Sequence, residues 1–300
     1  MGAEAGKAPT EAAAAASSAR VPRLLRAAAC TLTALMLAVT LAAAGFAACA
    51  SPPATSLLAQ ATQSAAASPY SADQLFDLAC AARTYAVGLR HDGSRDALAS
   101  AEIDAAQAAC APGSPTASRW SAPARDVAQE APLRSVPPGL IAADLASCGA
   151  QYALDDDALA HLDDCNRLIG AVAPWLMAAA VLAAAGIAAL ALGRCRRALG
   201  TALVAAPLAV LGAFALFGLW GALDFNGLFA AFHGALFPQG NWTFPSDTLL
   251  ITMYPLDFWV GMAALWLGTT AMMAILSLAA GIGLLRTPRE NRDDRPRRPR

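Results

Sequence analysis

Four long segments without Asp, Glu, Lys or Arg constrain the fold more than any other feature of this 300-residue chain. Each exceeds the ~20 residues that an α-helix needs to cross a hydrocarbon core of ~30 Å. Only 14% of the chain is charged, against about 25% in soluble domains. The sequence therefore predicts an all-α integral membrane protein and excludes an ordinary soluble enzyme. The predicted transmembrane helices are 27–50, 169–192, 198–223 and 258–285.

The charges that flank these spans predict their orientation. Segments 1–26, 193–197 and 286–300 hold 14 Lys or Arg and 5 acidic residues, whereas 51–168 and 224–257 hold 7 and 17. Lys and Arg are retained on the cytoplasmic side of a cell membrane. We therefore expect both termini in the cytoplasm and both long connections outside it. The two tails are predicted to be disordered, and the basic C-terminal tail also suits contact with anionic lipid.

The first apolar segment has two interpretations. Arg20, Arg23 and Arg26 precede it, and its end at Ala48-Cys49-Ala50-Ser51 has the small residues of a signal-peptide cleavage site. The apolar stretch is longer than the about 7–15 residues of a usual signal-peptide core. We expect an uncleaved transmembrane helix, with cleavage as the alternative.

The outer segment 51–168 is predicted to be a small helical domain. Ser71 and Gln74 form the pattern of a capping box, and an amphipathic helix follows to about Leu89. Residues 111–138 are rich in Pro, Ser and Ala and lack periodicity, which predicts a loop. A last helix is expected to begin near the aspartates at 155–157 and to continue into the second span.

Four cysteines fall in the outer domain: Cys80, Cys110, Cys148 and Cys165. An even number in an oxidising compartment favours disulfides. The shorter loops favour Cys80–Cys110 and Cys148–Cys165 among the three possible pairings. The alternative is that all four are unpaired small apolar residues, and their spacing is not that of a zinc site.

The second outer connection, with the start of the last span, is aromatic: 224–259 holds 9 of the chain's 20 aromatic residues. Four apolar residues recur there at helical spacing, which predicts an interfacial amphipathic helix ended by Pro238 and Gly240. Trp242 and Trp259 suit the aromatic belt at a membrane surface. The four residues are Phe225, Phe229, Phe232 and Leu236.

Two histidines are candidates for chemistry. His161 precedes the second span, with Asp157 and Asp164 on the same helical face, and His233 lies in the aromatic segment. Both belong to the outer membrane boundary, so we expect that they can meet. In the alternative interpretation each is an ordinary amphipathic side chain and the aromatic residues are only membrane anchors. The third histidine, His91, is predicted to lie in an exposed turn.

A set of motifs resembles the four-span bacterial membrane family that includes the lipoprotein intramolecular transacylase, Lit. The resemblance covers the general layout of residues 27–285, with His161-Leu162-Asp163-Asp164 similar to a His-x-x-Asp motif of the family. The stretch 70–88, which contains Tyr85, is similar to the family's first outer helix. The other matching residues are Phe232-His233, Gly240-Asn241-Trp242, Asp247 and Tyr254-Pro255-Leu256-Asp257-Phe258-Trp259.

The resemblance implies acyl transfer at the outer leaflet of a bacterial plasma membrane. The sn-2 acyl chain of a diacylglyceryl-cysteine would move to the α-amino group of the same cysteine and give a lyso-form lipoprotein. His161 and His233 would move the protons, Asp164 would hold the tautomer of His161, and Asn241 would donate to the oxyanion. The expected partners are membrane lipid and lipoprotein N-termini, without a cofactor or nucleic acid. The other expected substrate-binding residues are Trp242, Tyr254, Phe229 and Phe232.

The sequence also departs from the family's pattern. The insertion around 95–150 is longer, and Cys165 replaces an aliphatic residue after Asp164. One alternative is therefore a non-enzymatic membrane protein that binds lipid or a partner through its outer domain. Another is a metal-dependent hydrolase built on His161, Asp164 and His233, although no local spacing indicates zinc.

Overall fold

A computed structural model describes residues 8–88 and 95–286, with side chains from Arg23 onward. All regular elements in these ranges are helical. In chain order the α-helices are α1 (Ala8–Cys49), α2 (Pro52–Thr62), α3 (Ala72–Val87), α4 (Arg95–Cys110), α5 (Ala122–Glu130), α6 (Pro138–Cys148), α7 (Asp156–Leu192), α8 (Arg196–Leu223), α9 (Phe225–Leu236), α10 (Leu249–Met253) and α11 (Leu256–Arg286).

Four helices are long and apolar enough to cross a membrane, which confirms the predicted number of spans. They cover Arg23–Cys49 within α1, and the whole of α7, α8 and α11. Each predicted span lies inside one of them, apart from residue 50. Many large apolar side chains on these helices are exposed, including Trp175 at 77% and Leu216 at 72%. Such surfaces are compatible with lipid, because a spanning helix satisfies its backbone hydrogen bonds internally.

Two sequence predictions about irregular segments are wrong. The helix α1 begins at Ala8, so the segment expected to be a disordered tail is helical from that residue on. Alanine has the best helix propensity, which favours continuation of the span into this Ala-rich stretch. The expected loop at 111–138 contains α5, whose Ser121 side chain accepts a hydrogen bond from the N–H of Ala124. The buried residues of this helix are the small Ala124 and Ala128, so no stripe of large apolar residues marks it in the sequence.

The chain divides into two compact units. The first comprises the residues up to Ala42, Leu176–Ala213 and those from Thr270. Small residues allow close helix packing in it: a Cβ added to Gly281 would lie 2.9 Å from the carbonyl oxygen of Gly200. The hydroxyl of Ser277 also donates a hydrogen bond to the carbonyl of Leu203 at 2.9 Å. Both features are typical of helix association in membranes.

The second unit comprises Ala43–Trp175 and Phe214–Thr269 and contains a large apolar core. Its helix α3 begins with the predicted capping box, in which Ser71 and Gln74 bond each other's backbone N–H groups. Leu75 and Leu78 are buried, as the amphipathic pattern predicts. The helix ends at Val87, and the predicted positions of Leu89 and His91 fall outside the described residues.

Aromatic packing organises the outer part of this core. Trp120 contacts Tyr70 edge to face at a centroid distance of 5.4 Å, and its indole N–H donates to the carbonyl of Pro69. Trp120 also contacts Tyr152, and their ring centroids lie 4.8 Å apart. Glu102 is 2% exposed, and its Oε1 accepts a hydrogen bond from the N–H of Leu154 at 2.8 Å.

Helix α7 connects this core to a membrane span, as the sequence predicts. Asp155 caps it by accepting a hydrogen bond from the N–H of Ala158 at 2.9 Å. About two turns later Asp163 accepts a hydrogen bond from the Tyr85 hydroxyl. The side-chain amide of Asn166 lies within hydrogen-bonding distance of three carbonyls at the C-terminal end of α3. These contacts fix the turn of α7 that carries His161.

The predicted disulfides Cys80–Cys110 and Cys148–Cys165 are wrong, because all seven cysteines are free thiols. The Sγ of Cys110 and of Cys148 instead contacts a carbonyl one turn earlier on its own helix. The four outer cysteines therefore follow the alternative of unpaired small residues. Spacing favoured the pairings through loop length alone, which carries no information on where each helix directs its side chains.

Candidate active site

The helix α9 and the turn after it carry half of the candidate site. The side chain of Asp224 caps the helix by accepting from the N–H of Gly227 at 2.8 Å. The helix ends at Leu236, close to the predicted Pro238, and Gly240 adopts a φ of +86°. Glycine adopts this conformation without the steric cost that other residues have. The chain thereby turns back and brings Asn241 and Trp242 toward α7.

The two candidate histidines come together around one buried ring. The centroid of Phe237 lies 4.8 Å from the His161 ring and 6.1 Å from the His233 ring. The two imidazoles are also close enough to interact electrostatically. His161 and His233 therefore share Phe237 as a contact.

The backbone determines the tautomer of His233. Its Nδ1 lies 2.9 Å from the carbonyl oxygen of Phe229. A carbonyl only accepts hydrogen bonds, so Nδ1 carries the hydrogen and Nε2 of the neutral ring holds a lone pair. Neutral His233 therefore presents Nε2 as a base.

His161 has one nitrogen engaged and one unpartnered. Its Nε2 lies 3.7 Å from the thiol of Cys165, one turn further along α7. Its Nδ1 is buried and has no hydrogen-bond partner within the described residues. The Phe244 ring adds a contact at 5.8 Å. Nδ1 is therefore the atom of His161 left to interact with a substrate.

Asp164 makes different contacts from those expected. The structure shows its carboxylate, 13% exposed, with Arg167, Gln239 and Asn241 as hydrogen-bond partners. The nitrogen of Asn241 lies 3.3 Å away. His161 is not among these partners, so the role of holding its tautomer finds no hydrogen bond in this geometry. Asp164 instead ties the aromatic loop to α7.

Asn241 is also engaged differently from an oxyanion donor. One N–H of its side-chain amide is directed at Asp164. Its Oδ1 is buried and, in the part of the chain that the structure describes, has no hydrogen-bond partner. The atom of Asn241 that is available is therefore an acceptor.

The predicted aromatic residues fall into two groups. Phe229, Phe232 and Trp242 surround His233, with ring centroids 3.9, 5.2 and 5.1 Å from the imidazole. They provide an apolar wall beside the bases. Tyr254 lies elsewhere: it is 8% exposed and donates its hydroxyl hydrogen to the carbonyl of Ala79. Its contacts are those of a residue that packs the outer core.

Tyr85 contributes a fixed donor at the edge of the site. Burial, followed by the hydrogen bond to Asp163, raises the pKa of its hydroxyl to about 12. The hydroxyl therefore stays protonated and keeps donating to Asp163 throughout the physiological range. Asp163 also lies 3.8 Å from the guanidinium of Arg95.

Sequence reasoning missed four residues of the site: Phe237, Gln239, Phe244 and Cys165. Phe237 and Phe244 belong to the aromatic segment but fall outside the helical spacing that singled out its other members. Gln239 stands two residues before Asn241, which is the signal that could have found it. Cys165 is considered in the sequence as a disulfide partner and as a departure from the family's pattern, but not as a contact of His161.

A comparison with known protein families gives a match over the segment that contains this site. Residues 144–259 match the model of the lipoprotein intramolecular transacylase family, Lit. The Lit match contains His161, Asp164, His233 and Asn241, and it ends where the last span begins. It leaves out α2 to α5, the larger part of the outer domain. Neither the curated proteins nor the solved structures yield a significant match to the chain.

The metal-dependent alternative gains no support from this part of the molecule. Within residues 8–88 and 95–286, no group of three or more His, Cys, Asp or Glu side chains is arranged to hold a metal ion. The site contains two imidazoles among aromatic rings, and the same segments carry the hydrogen-bonded pair of Asp164 and Asn241. This composition suits proton transfer beside an apolar ligand.

Proposed function

We propose that this protein is a bacterial membrane acyltransferase that moves an acyl chain within diacylglyceryl-cysteine lipoproteins and produces their lyso form. The observation that carries the proposal is the meeting of His161 and His233 on Phe237. This cluster lies inside the segment that matches the Lit family. Two imidazoles among aromatic rings suit a reaction that needs a base, an acid and an apolar site for lipid.

The proposed reaction exchanges one bond for another within a single molecule. The α-amino nitrogen of the modified cysteine attacks the carbonyl carbon of the sn-2 ester and forms an amide bond. The ester C–O bond breaks, and the glycerol oxygen leaves as an alkoxide. The proton lost by the amine balances the proton gained by this oxygen, so no other reactant is consumed.

The chain supplies a group for each proton step. His233 Nε2 takes a proton from the amine, since Nδ1 is held as a donor by Phe229. His161 acts through Nδ1 and returns a proton to the leaving oxygen. Such acid–base catalysis contributes typically about 10²–10⁴-fold.

The aromatic wall is proposed to hold the acyl chains. Phe229 and Phe232 are 38% and 51% exposed, which leaves apolar surface beside the imidazoles. The charge distribution across the spans supports a location on the outer face of the plasma membrane, with both termini in the cytoplasm. A lipid-anchored cysteine of an exported protein is accessible at that face.

Mass spectrometry of lipopeptides tests the proposal. The protein is expressed in a bacterium whose lipoproteins otherwise remain diacylated, and the N-terminal cysteine of a reporter lipoprotein is fragmented. We expect an acyl group on the amine at unchanged total mass. The variants His161→Ala and His233→Ala should leave the reporter in its diacylglyceryl form, whereas His91→Ala serves as the matched histidine control.

Two outcomes contradict the proposal. One is an unmodified reporter in the presence of folded wild-type protein, which favours a non-enzymatic protein that binds lipid or a partner. The other is full acyl transfer by folded His161→Ala and His233→Ala variants, which places the chemistry elsewhere.

A further inference from the structure

The orientation of the Asn241 side-chain amide is determined by its neighbour. The carboxylate of Asp164 can only accept hydrogen bonds, and it accepts from Asn241 Nδ2 at 3.3 Å. The other groups on this carboxylate are Gln239 Nε2 and the Arg167 guanidinium, which are donors as well. The nitrogen of the Asn241 amide is therefore directed at Asp164, and its oxygen is directed away from it.

This oxygen is an acceptor without a donor. Asn241 Oδ1 and His161 Nδ1 are two of only four buried side-chain N or O atoms in the described part of the chain that lack a partner. The other two belong to arginines outside the candidate site. An unsatisfied buried polar group costs about 1–3 kcal/mol, so a ligand that satisfies it gains affinity.

We propose that Asn241 Oδ1 binds the acceptor amine of the substrate by accepting one of its N–H hydrogens. This inference rests on the proposed function and names the group that recognises the substrate's α-amino nitrogen. An ester oxyanion offers only lone pairs and would meet the lone pairs of Oδ1 with repulsion. An amine offers N–H donors, and its nitrogen lone pair stays available for attack on the ester.

The surroundings of Asn241 favour the same ligand. The carboxylate of Asp164, one amide away, contributes a negative charge that favours an ammonium over a neutral group, although Arg167 partly offsets it. Trp242 follows Asn241 directly, and its ring stacks toward His233 at 5.1 Å. The loop that carries the proposed amine acceptor therefore also contacts the imidazole that is proposed to deprotonate the amine.

Binding measurements with two lipopeptides test the proposal without requiring turnover. The purified full-length protein is placed in phosphatidylethanolamine–phosphatidylglycerol nanodiscs. One probe is a synthetic diacylglyceryl-cysteine pentapeptide with a free α-amine, and the other is its desamino analogue with hydrogen in place of the amine. We expect the wild type to bind the amine form at least about tenfold more tightly.

The variants then assign the preference to one atom. Asn241→Ala and Asn241→Leu remove the acceptor, and we expect the preference for the amine form to fall to about twofold or less. Asn226→Ala is the matched control: it removes an exposed asparagine amide of α9 but leaves Asn241 Oδ1 in place, so the tenfold preference should persist. Thermal melting identifies which of the two Asn241 variants is folded.

Three results overturn the inference. The first is equal binding of both probes by the wild type. The second is an unchanged preference in a folded Asn241 variant. The third is loss of the preference in Asn226→Ala. Acyl migration, followed by mass spectrometry in the same nanodiscs, separates this inference from the proposed function. A preference for the amine form without acyl migration supports the role of Asn241 and contradicts the proposed transferase activity. Acyl migration without that preference supports the transferase activity and contradicts the role of Asn241.

Discussion

The hydroxyl of Tyr85 donates a hydrogen bond to Asp163, two residues after His161 on α7. The bond joins the first large helix of the outer domain to the helix that carries the candidate base. Asp163 is 40% exposed, so solvent screens part of the interaction. We therefore expect Tyr85→Phe to cost about 1 kcal/mol of stability, measured as a lower melting temperature. An unchanged melting temperature would show that α3 does not support α7 through this bond.

Asp164 is expected to act by positioning the aromatic loop. In Asp164→Asn the amide cannot accept from Gln239, Asn241 and Arg167 together, and we expect acyl migration to slow about tenfold, which is about 1.4 kcal/mol. Asp163→Asn is the matched control on the same turn, since the partners of Asp163 are Tyr85 and Arg95 and not the aromatic loop. The rate and the KM of lipopeptide migration are measured for both variants. Equal loss in the two would contradict a specific role for Asp164.

His233 is expected to contribute more to the rate than the neighbouring Phe229 ring, because it is proposed to remove the proton from the amine. Glutamine lacks a base, so His233→Gln should slow migration by about 10²–10⁴-fold. Phe229→Leu keeps the backbone carbonyl that holds Nδ1 and changes only the neighbouring ring, so we expect a smaller loss. The two rates are compared at saturating lipopeptide. A larger defect in the leucine variant would mean that ring packing, not the base, limits the reaction.

The buried carboxyl of Glu102 predicts a pH-dependent outer domain. Burial raises its pKa from 4.5 to about 7. The folded protein therefore binds a proton that the unfolded chain releases, and the free energy of unfolding falls as the pH rises from about 4.5 to about 7. The fall amounts to about 3 kcal/mol, at 1.36 kcal/mol per pKa unit. Melting curves at pH 5 and pH 8 measure it.

Glu102→Gln provides the control for that pH dependence. The glutamine carbonyl still accepts from the N–H of Leu154 but does not titrate. The difference between the two melting temperatures should shrink in this variant. If it stays as large as in the wild type, another group is responsible.

Gly281 is expected to be essential for packing within the first unit. A Cβ there would lie 2.8 Å from Val204 Cγ2 and 2.9 Å from the Gly200 carbonyl oxygen, so the helices would have to separate. Gly281→Ala should therefore cost about 1–3 kcal/mol. Gly212→Ala is the matched control, because a Cβ at that position meets no atom within 4 Å. The melting temperature in detergent measures both, and equal effects would contradict the close approach.

Local patterns determined much of the fold. The four spans, the capping box of Ser71 and Gln74, the helix at Phe225–Leu236 and the continuous α7 all follow from residues close together in the chain. Each pattern depends on helical periodicity or on a cap within one turn, so no distant contact is needed to recognise it. The expectation that His161 and His233 lie near each other comes from their shared position at the membrane boundary, and in the structure both contact Phe237.

Only the tertiary structure decided what each polar atom of the site contacts. Asp164 and Asn241 are separated by 77 positions, and their hydrogen bond exists because the turn at Gly240 brings the loop back to α7. A sequence pattern identifies a carboxylate and an amide but does not show where either side chain points. The sequence therefore predicts that Asp164 holds the tautomer of His161 and that Asn241 donates to an oxyanion, whereas the two side chains bond each other. The four outer cysteines show the same limit. Spacing counts residues along the chain, whereas a disulfide or a hydrogen bond depends on the direction in which packed helices present their side chains.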